Sequence, residues 1–228
     1  MRAIGLDLSG SSKRESGLCL IHGLNVETFT LYSDEEILDK IISFDARVVA
    51  VDAPLTLPKG RKSLGNKSGP HLRECDRELL RRKIRFFPLT LGPMRKLTER
   101  GIRLKGVLEE KGFEVIEVYP GGAQDVWKFP RKGKDLEELR KSLKNVGLKG
   151  EFEKMGPDEL DAVTAALVGI IYLIGEYEEY GDRSEGTIIM PKSGSLEALK
   201  RYFQNHFPDK GSKFLDPLSG EPRTQEGT

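Results

Sequence analysis

The sequence has few of the residues that hold soft metals or build covalent frameworks. It contains 2 Cys and 3 His in 228 residues. Cys19 and Cys75 stand far apart in unlike contexts, in neither a CxxC pair nor a zinc spacing. That excludes a disulfide scaffold and a zinc ribbon, and it fits a reducing, cytoplasmic setting. There is no run of about 18 apolar residues and no N-terminal apolar h-region, so neither a membrane span nor a signal peptide is expected. The longest apolar run, AALVGIIYLI, reads instead as a buried helix. Asn and Gln are scarce while 32% of residues are charged, a balance in keeping with a thermophile. Internal repeats and low-complexity segments are also missing.

Charge is plentiful but uneven. The formal net charge is +1. Residues 59–105 nevertheless hold 15 basic and 4 acidic side chains, a net of +11, which leaves 22 basic and 32 acidic elsewhere. A basic block inside an acidic body suggests a polyanionic partner for that block. A solvated, charge-rich surface is the plainer alternative.

The chain is long enough for a sizeable core, and one domain with additions is expected over residues 1–207. RAIGLDL, GLCLIHG and VETFTLY read as three short strands with short links, an antiparallel meander. Ser33 followed by Glu36 is a capping-box pattern before a helix striped with Ile37, Leu38, Ile41 and Ile42. RVVAVDAP is a continuously apolar strand of the parallel-sheet kind, ended by Asp52 and Pro54. Residues 55–111 read as a helical insertion: a Pro/Gly/Lys-rich loop, a basic helix over about 71–83, and a second helix over about 94–111. FEVIEVYP is another strand, stopped by Pro120-Gly121-Gly122. Helices follow near 134–144 and from Asp158 to about Tyr177, with Pro157 at the first turn. GTIIMP is a last short strand and Ser195 caps a terminal amphipathic helix. Residues 208–228 read as a disordered tail.

Carboxylates stand at the ends of these elements. Asp7 closes the first strand, Asp52 the fourth, and Glu117 lies in the fifth, while Asp158 and Asp161 share one face at the start of a helix. Parallel strands would bring Asp7, Asp52 and Glu117 to one edge of the sheet, where open α/β sheets place their ligands. Converging carboxylates repel one another unless a cation neutralises them. Oxygen ligands without His or Cys suit Mg²⁺ or Mn²⁺. Two such ions about 3.5–4 Å apart can drive phosphodiester hydrolysis. Each acid also has a local reading. Asp7 could form an Asx turn, Asp52 could cap the turn before Pro54, and Glu117 could face solvent. Asp158 and Asp161 could simply favour the helix dipole.

GLDLSG, VDAPLTLP, RECDRELLRRKIRFFP, MRKLTERG, EVIEVYPGG, DELDAVTAA and GTIIMP occur in that order. This series resembles domain of unknown function family 429, described as predicted nucleases with a ribonuclease H-like fold. The resemblance runs from about Ile4 to Pro191. It implies an α/β fold, a ribonuclease H-like mixed five-stranded sheet flanked by helices, with the basic insertion after the fourth strand. The wider superfamily uses an acid on the first strand, one at the end of the fourth and one on a late helix. By motif these parts fall to Asp7, Asp52 and Asp161, with Asp158 assisting as a metal ligand. Glu117 belongs to the family motif without a fixed superfamily part and is kept as a catalytic candidate.

In the insertion, Arg73, Arg77 and Arg81 form an i, i+4, i+8 stripe, and with Arg82 and Arg85 they are the expected nucleic-acid contacts. Intrahelical ion pairs are the alternative. Phe86 and Phe87 could stack bases or pack in the core. The leading expectation is a metal-dependent nuclease acting on DNA or RNA, away from membranes, with a homodimer compatible with the sequence. The alternative is a non-catalytic nucleic-acid-binding or regulatory protein on the same fold. A phosphotransferase of the sugar kinase and actin type is disfavoured, because no second three-stranded meander follows.

Overall fold

The computed structural model describes residues 1–65 and 68–208. The opening meander is β1 (Arg2–Asp7), β2 (Ser16–His22) and β3 (Asn25–Leu31), paired antiparallel as their short links require. Helix α1 (Asp34–Ser43) starts at the expected capping box: Ser33 Oγ accepts from Glu36 N, and the Glu36 carboxylate accepts from Ser33 N. Strand β4 (Val49–Asp52) returns parallel to β1. The insertion carries α2 (Glu74–Arg81) and α3 (Gly92–Glu110). Strand β5 (Val115–Val118) runs parallel to β4. Then come α4 (Pro120–Trp127), α5 (Leu136–Lys144), a 3-10 turn at Phe152–Lys154 and α6 (Pro157–Leu173). A hairpin of β6 (Tyr177–Asp182) and β7 (Gly186–Pro191) leads into α7 (Ser195–His206).

All seven strands form one mixed sheet in the order β3-β2-β1-β4-β5-β7-β6. The five-stranded expectation is corrected to seven: the meander, β4 and β5 fill the first five positions, GTIIMP joins them as β7, and β6 was not expected. Strand β7 adds parallel to β5, and β6 covers it antiparallel at the edge. Two faces are packed. Ala3, Ala50, Ile116 and Val118 face α6 and its neighbours, while Ile4, Leu6, Val49 and Val51 face Ile37 and Ile41 of α1 and Leu104 and Leu108 of α3. Period-two alternation thus assigns every strand position to a side.

Three further expectations need correction. Strand β5 does stop before Pro120-Gly121-Gly122, but the chain goes straight on into a helix that was not expected: Pro120 is the first residue of α4, where its missing N–H costs nothing. The late helix ends at Leu173, and Tyr177 opens β6 rather than closing the helix. Ser195 is the first residue of α7 and not its cap; Gly194, at φ 80°, holds that place, and Ser195 Oγ accepts from the buried Trp127 indole N–H at 3.0 Å. The expected tail from residue 209 onward lies outside the described residues.

Helix α6 approaches the sheet more closely than side chains would allow. A Cβ on Gly5 would lie 2.0 Å from the carbonyl oxygen of Ala162, and one on Gly17 would lie 2.2 Å from that of Asp158. Only glycine permits this backbone-to-backbone contact. We expect Gly5→Ala to destabilise the fold by about 3 kcal/mol or more, since backbone rather than a movable side chain blocks the new methyl. A urea unfolding midpoint unchanged from wild type would contradict this packing.

Candidate functional site

The close seat of α6 determines what stands at the carboxyl edge of the sheet. Asp7 and Asp52 are direct partners in the parallel β1/β4 register. Both continue the series facing α6 (Ala3, Gly5; Ala50), so their carboxylates leave on the same side. Helix α6 begins there. Pro157 sits in its first turn and the Glu159 carboxylate accepts from Gly156 N at 2.7 Å. Asp158 and Asp161 then project from one face of its first turns.

One cation joins them. The Lys132 ammonium, from the link between α4 and α5, lies 2.8 Å from Asp7 Oδ2, 2.7 Å from Asp158 Oδ1 and 3.0 Å from Asp161 Oδ2. Asp161 also accepts from Gln124 Nε2 at 2.7 Å, and that amide donates to Thr164 Oγ1 at 3.2 Å. Gln124 Oε1 is buried without a partner among the described residues. Asp52 makes no hydrogen bond or ion pair among the described residues, so it caps no turn. Asp7 bonds Lys132 instead of a local N–H; the Ser9 N–H goes to Ser16 Oγ at 3.0 Å. Neither local reading of these two acids holds.

Four carboxylates around one ammonium leave an excess of negative charge. Burial raises Asp7 to about 7; Lys132 pulls it down and the Asp161 and Asp158 charges push it up. Burial, then the charges of Asp7 and Asp161, hold Asp52 well above the usual carboxylate range. For Lys132 burial acts downward, but the carboxylates of Asp7, Asp161 and Asp158 prevail and hold it above its ordinary value. The donor chemistry is that of a hard divalent cation: oxygen only, acidic and short of positive charge. Among the described residues no three His, Cys, Asp or Glu side chains are arranged to enclose an ion. The ammonium takes the middle of the cluster, and Asp52 is the donor left without a partner.

Glu117 is placed differently from the sequence expectation. It pairs in register with Val51 and so belongs to the opposite face from Asp52. It is buried, not solvent-facing. Its Oε2 accepts from Arg73 Nη1 at 2.6 Å and from Leu55 N at 2.8 Å, and its Oε1 accepts from Arg73 Nη2 at 2.7 Å. Arg73 in turn pairs with Asp76 at 2.9 Å, and all three side chains are at least nine-tenths buried. Arg73 therefore leaves the expected arginine stripe, because its guanidinium is spent inside the protein.

The rest of the basic block divides in two. Arg61 and Arg100 are buried staples. Arg100 donates to Asp34 Oδ1 at 2.6 Å, Ser9 O at 2.8 Å and Tyr32 O at 2.7 Å, which ties α3 to the loop after β1. Arg61 donates to Pro70 O at 2.8 Å within the insertion loop. On the surface, Arg77 and Arg81 both pair with Glu74, at 3.3 and 2.8 Å. Arg82 pairs with Glu78 and Glu178, each at 3.0 Å, and stacks over Tyr180. Arg85 is exposed, with no ion pair among the described residues. The acids are thus gathered as the sequence suggested, apart from Glu117, and the arginines only in part.

Lys132 and Gln124 were not singled out by sequence reasoning. Lys132 is one of 37 basic residues in a segment with no period, and Gln124 sits on the helix hidden behind Pro120-Gly121-Gly122.

The architecture and site define a mixed α/β protein with a carboxylate cluster at the carboxyl edge of its parallel strands. The chain belongs to the family described as Protein of unknown function (DUF429), which matches residues 5–185. No curated protein matched the chain. Among the described residues no helix is long and apolar enough to cross a membrane.

Two predictions follow from the charges. Asp7 keeps its proton in the folded state up to about pH 7 but only to about 3.8 when unfolded. The folded state therefore holds more protons between those values, and stability falls as pH rises through that window. In a chelating buffer, Asp7→Asn should remove part of that fall and raise stability at pH 8 by roughly 1–3 kcal/mol. Parallel pH profiles of wild type and variant in chemical denaturation would refute it. Arg73→Ala should cost about 3–5 kcal/mol by stranding two buried carboxylates, while Arg77→Ala should change thermal stability by no more than about 0.5 kcal/mol.

Proposed function

We propose that this protein is a metal-dependent phosphodiesterase acting on nucleic acid, on a ribonuclease H-like sheet. The observation that carries the reading is the convergence of Asp7, Asp52, Asp158 and Asp161 beside a strand order β3-β2-β1-β4-β5. An acid on the first strand, one at the end of the fourth and one on a late helix is the pattern of that superfamily. Asp7 and the unpartnered Asp52 would hold Mg²⁺ or Mn²⁺. Bound there, a divalent cation supplies Lewis acidity to a phosphodiester.

The chain's own residues do the rest. Asp161, fixed by Gln124, and Asp158 hold the Lys132 ammonium against Asp7. Lys132 thereby offsets part of the repulsion among the acids and presents a second positive charge to a phosphate. Glu117 acts at a distance: with Arg73 it fixes the loop after Asp52 through the Leu55 N–H. Arg85, and Arg77, Arg81 and Arg82 on exchanging their glutamates for phosphates, would grip the backbone, giving salt-dependent affinity.

The test is cleavage of labelled single-stranded, duplex and branched DNA, RNA and hybrids with Mg²⁺ or Mn²⁺. Wild type should cleave. Asp7→Asn and Asp52→Asn should each slow cleavage about 100-fold or more, the scale of losing a transition-state charge partner. Undiminished cleavage by the double variant would refute the site. The seat of Lys132 among the acids favours a second reading, a non-catalytic nucleic-acid binder. It would bind with steep salt dependence and cleave none of these substrates with either metal.

A further inference from the structure

Between the ends of β1, β4 and β5 and the segment linking α2 to α3 lies a cavity of about 190 Å³. Asp7 and Asp52 are among the residues that line it, so it adjoins the carboxylate cluster. Its walls are apolar and aromatic: Phe86, Phe87, Leu89, Met94, Leu97 and Tyr119. A cavity of about 150 Å³ with such walls holds one benzene ring, so this one has the size of a single aromatic heterocycle. The charged side chains on the remaining wall are Arg73, Asp76 and Glu117, which are bonded to one another, one guanidinium serving two carboxylates. They offer an ion no free partner. Asp7 and Asp52 repel an anion unless a bound cation offsets them. A flat neutral ring is the occupant these walls suit.

The mouth is marked by a side chain that the core leaves out. Phe86 packs partly against the cluster of Cys75, Leu79 and Tyr180. Its neighbour Phe87 is 75% exposed and yet lines the cavity. An aromatic face left at the edge of a ring-sized apolar cavity is placed to stack. Exposed cations adjoin it in sequence: Lys83 and Arg85 on the same segment.

We propose that this cavity receives one unpaired nucleobase, stacked against Phe87, while the phosphate attached to it lies beside Asp7 and Asp52, at the cation those two acids would hold. The substrate class is then nucleic acid with a base out of the helical stack: a single strand, a bulge or a mismatch. The inference rests on the phosphodiesterase reading for the phosphate, but the cavity stands on its own geometry. Arg73, Asp76 and Glu117 are already bonded to one another, so none of these three is free to read a base edge. A fully paired duplex must first give up a stacked base, at a cost of a few kcal/mol.

The experiment uses full-length Asp7→Asn protein, which holds substrate uncleaved, titrated with oligonucleotides carrying one 2-aminopurine. The probe is placed in a single strand, within a bulge or fully paired, and its fluorescence reports stacking. Binding of the unpaired probe should quench it and should weaken about tenfold with Phe87→Ala, within the range for one base on one aromatic ring. Met94→Trp, which fills the cavity, should abolish the quench. Equal affinity for paired and unpaired probes, or an unchanged quench in Met94→Trp, would overturn the proposal. Wild-type cleavage is measured on the same strands. Cleavage without preference for the unpaired base overturns the base site and leaves the phosphodiesterase. Quenching that responds to both substitutions, without cleavage of any strand, upholds the base site and overturns the phosphodiesterase.

Discussion

The site depends on a contact between two backbones. Helix α6 rests on β1 and β2 at Gly5 and Gly17, with no side chain between them. This draws the first turns of α6 down to the level of Asp7. Without it, Asp158 and Asp161 would stand a side-chain layer farther off, and their charges would act on Asp7 only weakly. With it, they share one poorly solvated pocket, and their mutual repulsion becomes a property of the fold. Lys132 is the fold's partial answer. One ammonium offsets one of four carboxylates, which is why Asp7 and Asp52 retain their protons more tightly than free aspartates do.

The opposite face of the same edge is organised by the reverse principle. There the acids are hydrogen-bonded and sealed from water, one guanidinium serving two carboxylates. Arg73 meets Glu117 and Asp76 through short bonds, all three out of water. A pair of this kind adds little net stability over an apolar replacement, but breaking it strands a charge. Its effect is geometric: it fastens the start of α2 to β5 and, through Leu55 N–H, fastens the loop after Asp52. Arg100 does the same for the loop after Asp7. The two loops that carry the first two acids out of the sheet are therefore each held by a buried arginine from the insertion. The insertion serves as scaffold as well as surface.

Legibility in the sequence followed the range of the interactions. The meander, the Ser33 box and the apolar β4 were readable because period and capping are local. The meeting of Asp7 with Asp52 was readable because parallel strands fix register. Glu117 shows the limit of that reasoning: the edge was right and the face was wrong, and one residue of register separates the two. Pro120-Gly121-Gly122 carries both a stop signal and a helix-start signal, and packing against α6 decided for the helix. YEEYGD has too many acids to read as a strand; it forms β6 because it is an edge strand whose ladder to β7 needs no apolar alternation. Lys132 and Gln124 reach the site from a loop and an unread helix, with nothing in their neighbours to mark them.

A purely structural account of the acid cluster meets a difficulty of its own. A fold that needed only to fill this edge would be more stable with a neutral side chain at Asp52, which is half-buried and bonds to nothing among the described residues. It would also be more stable without Asp7, whose charge the pocket opposes. By contrast, the arginine-bound acids Glu117 and Asp76 are fully satisfied, so the same protein can bury carboxylates well where burial is all that is required. The two acidic clusters differ in that one is hydrogen-bonded throughout while the other leaves Asp52 without a partner among the described residues, and this contrast supports reading the first as scaffold and the second as the proposed site. Local destabilisation that persists beside such complete satisfaction is the physical argument for the proposed ligand role of these acids.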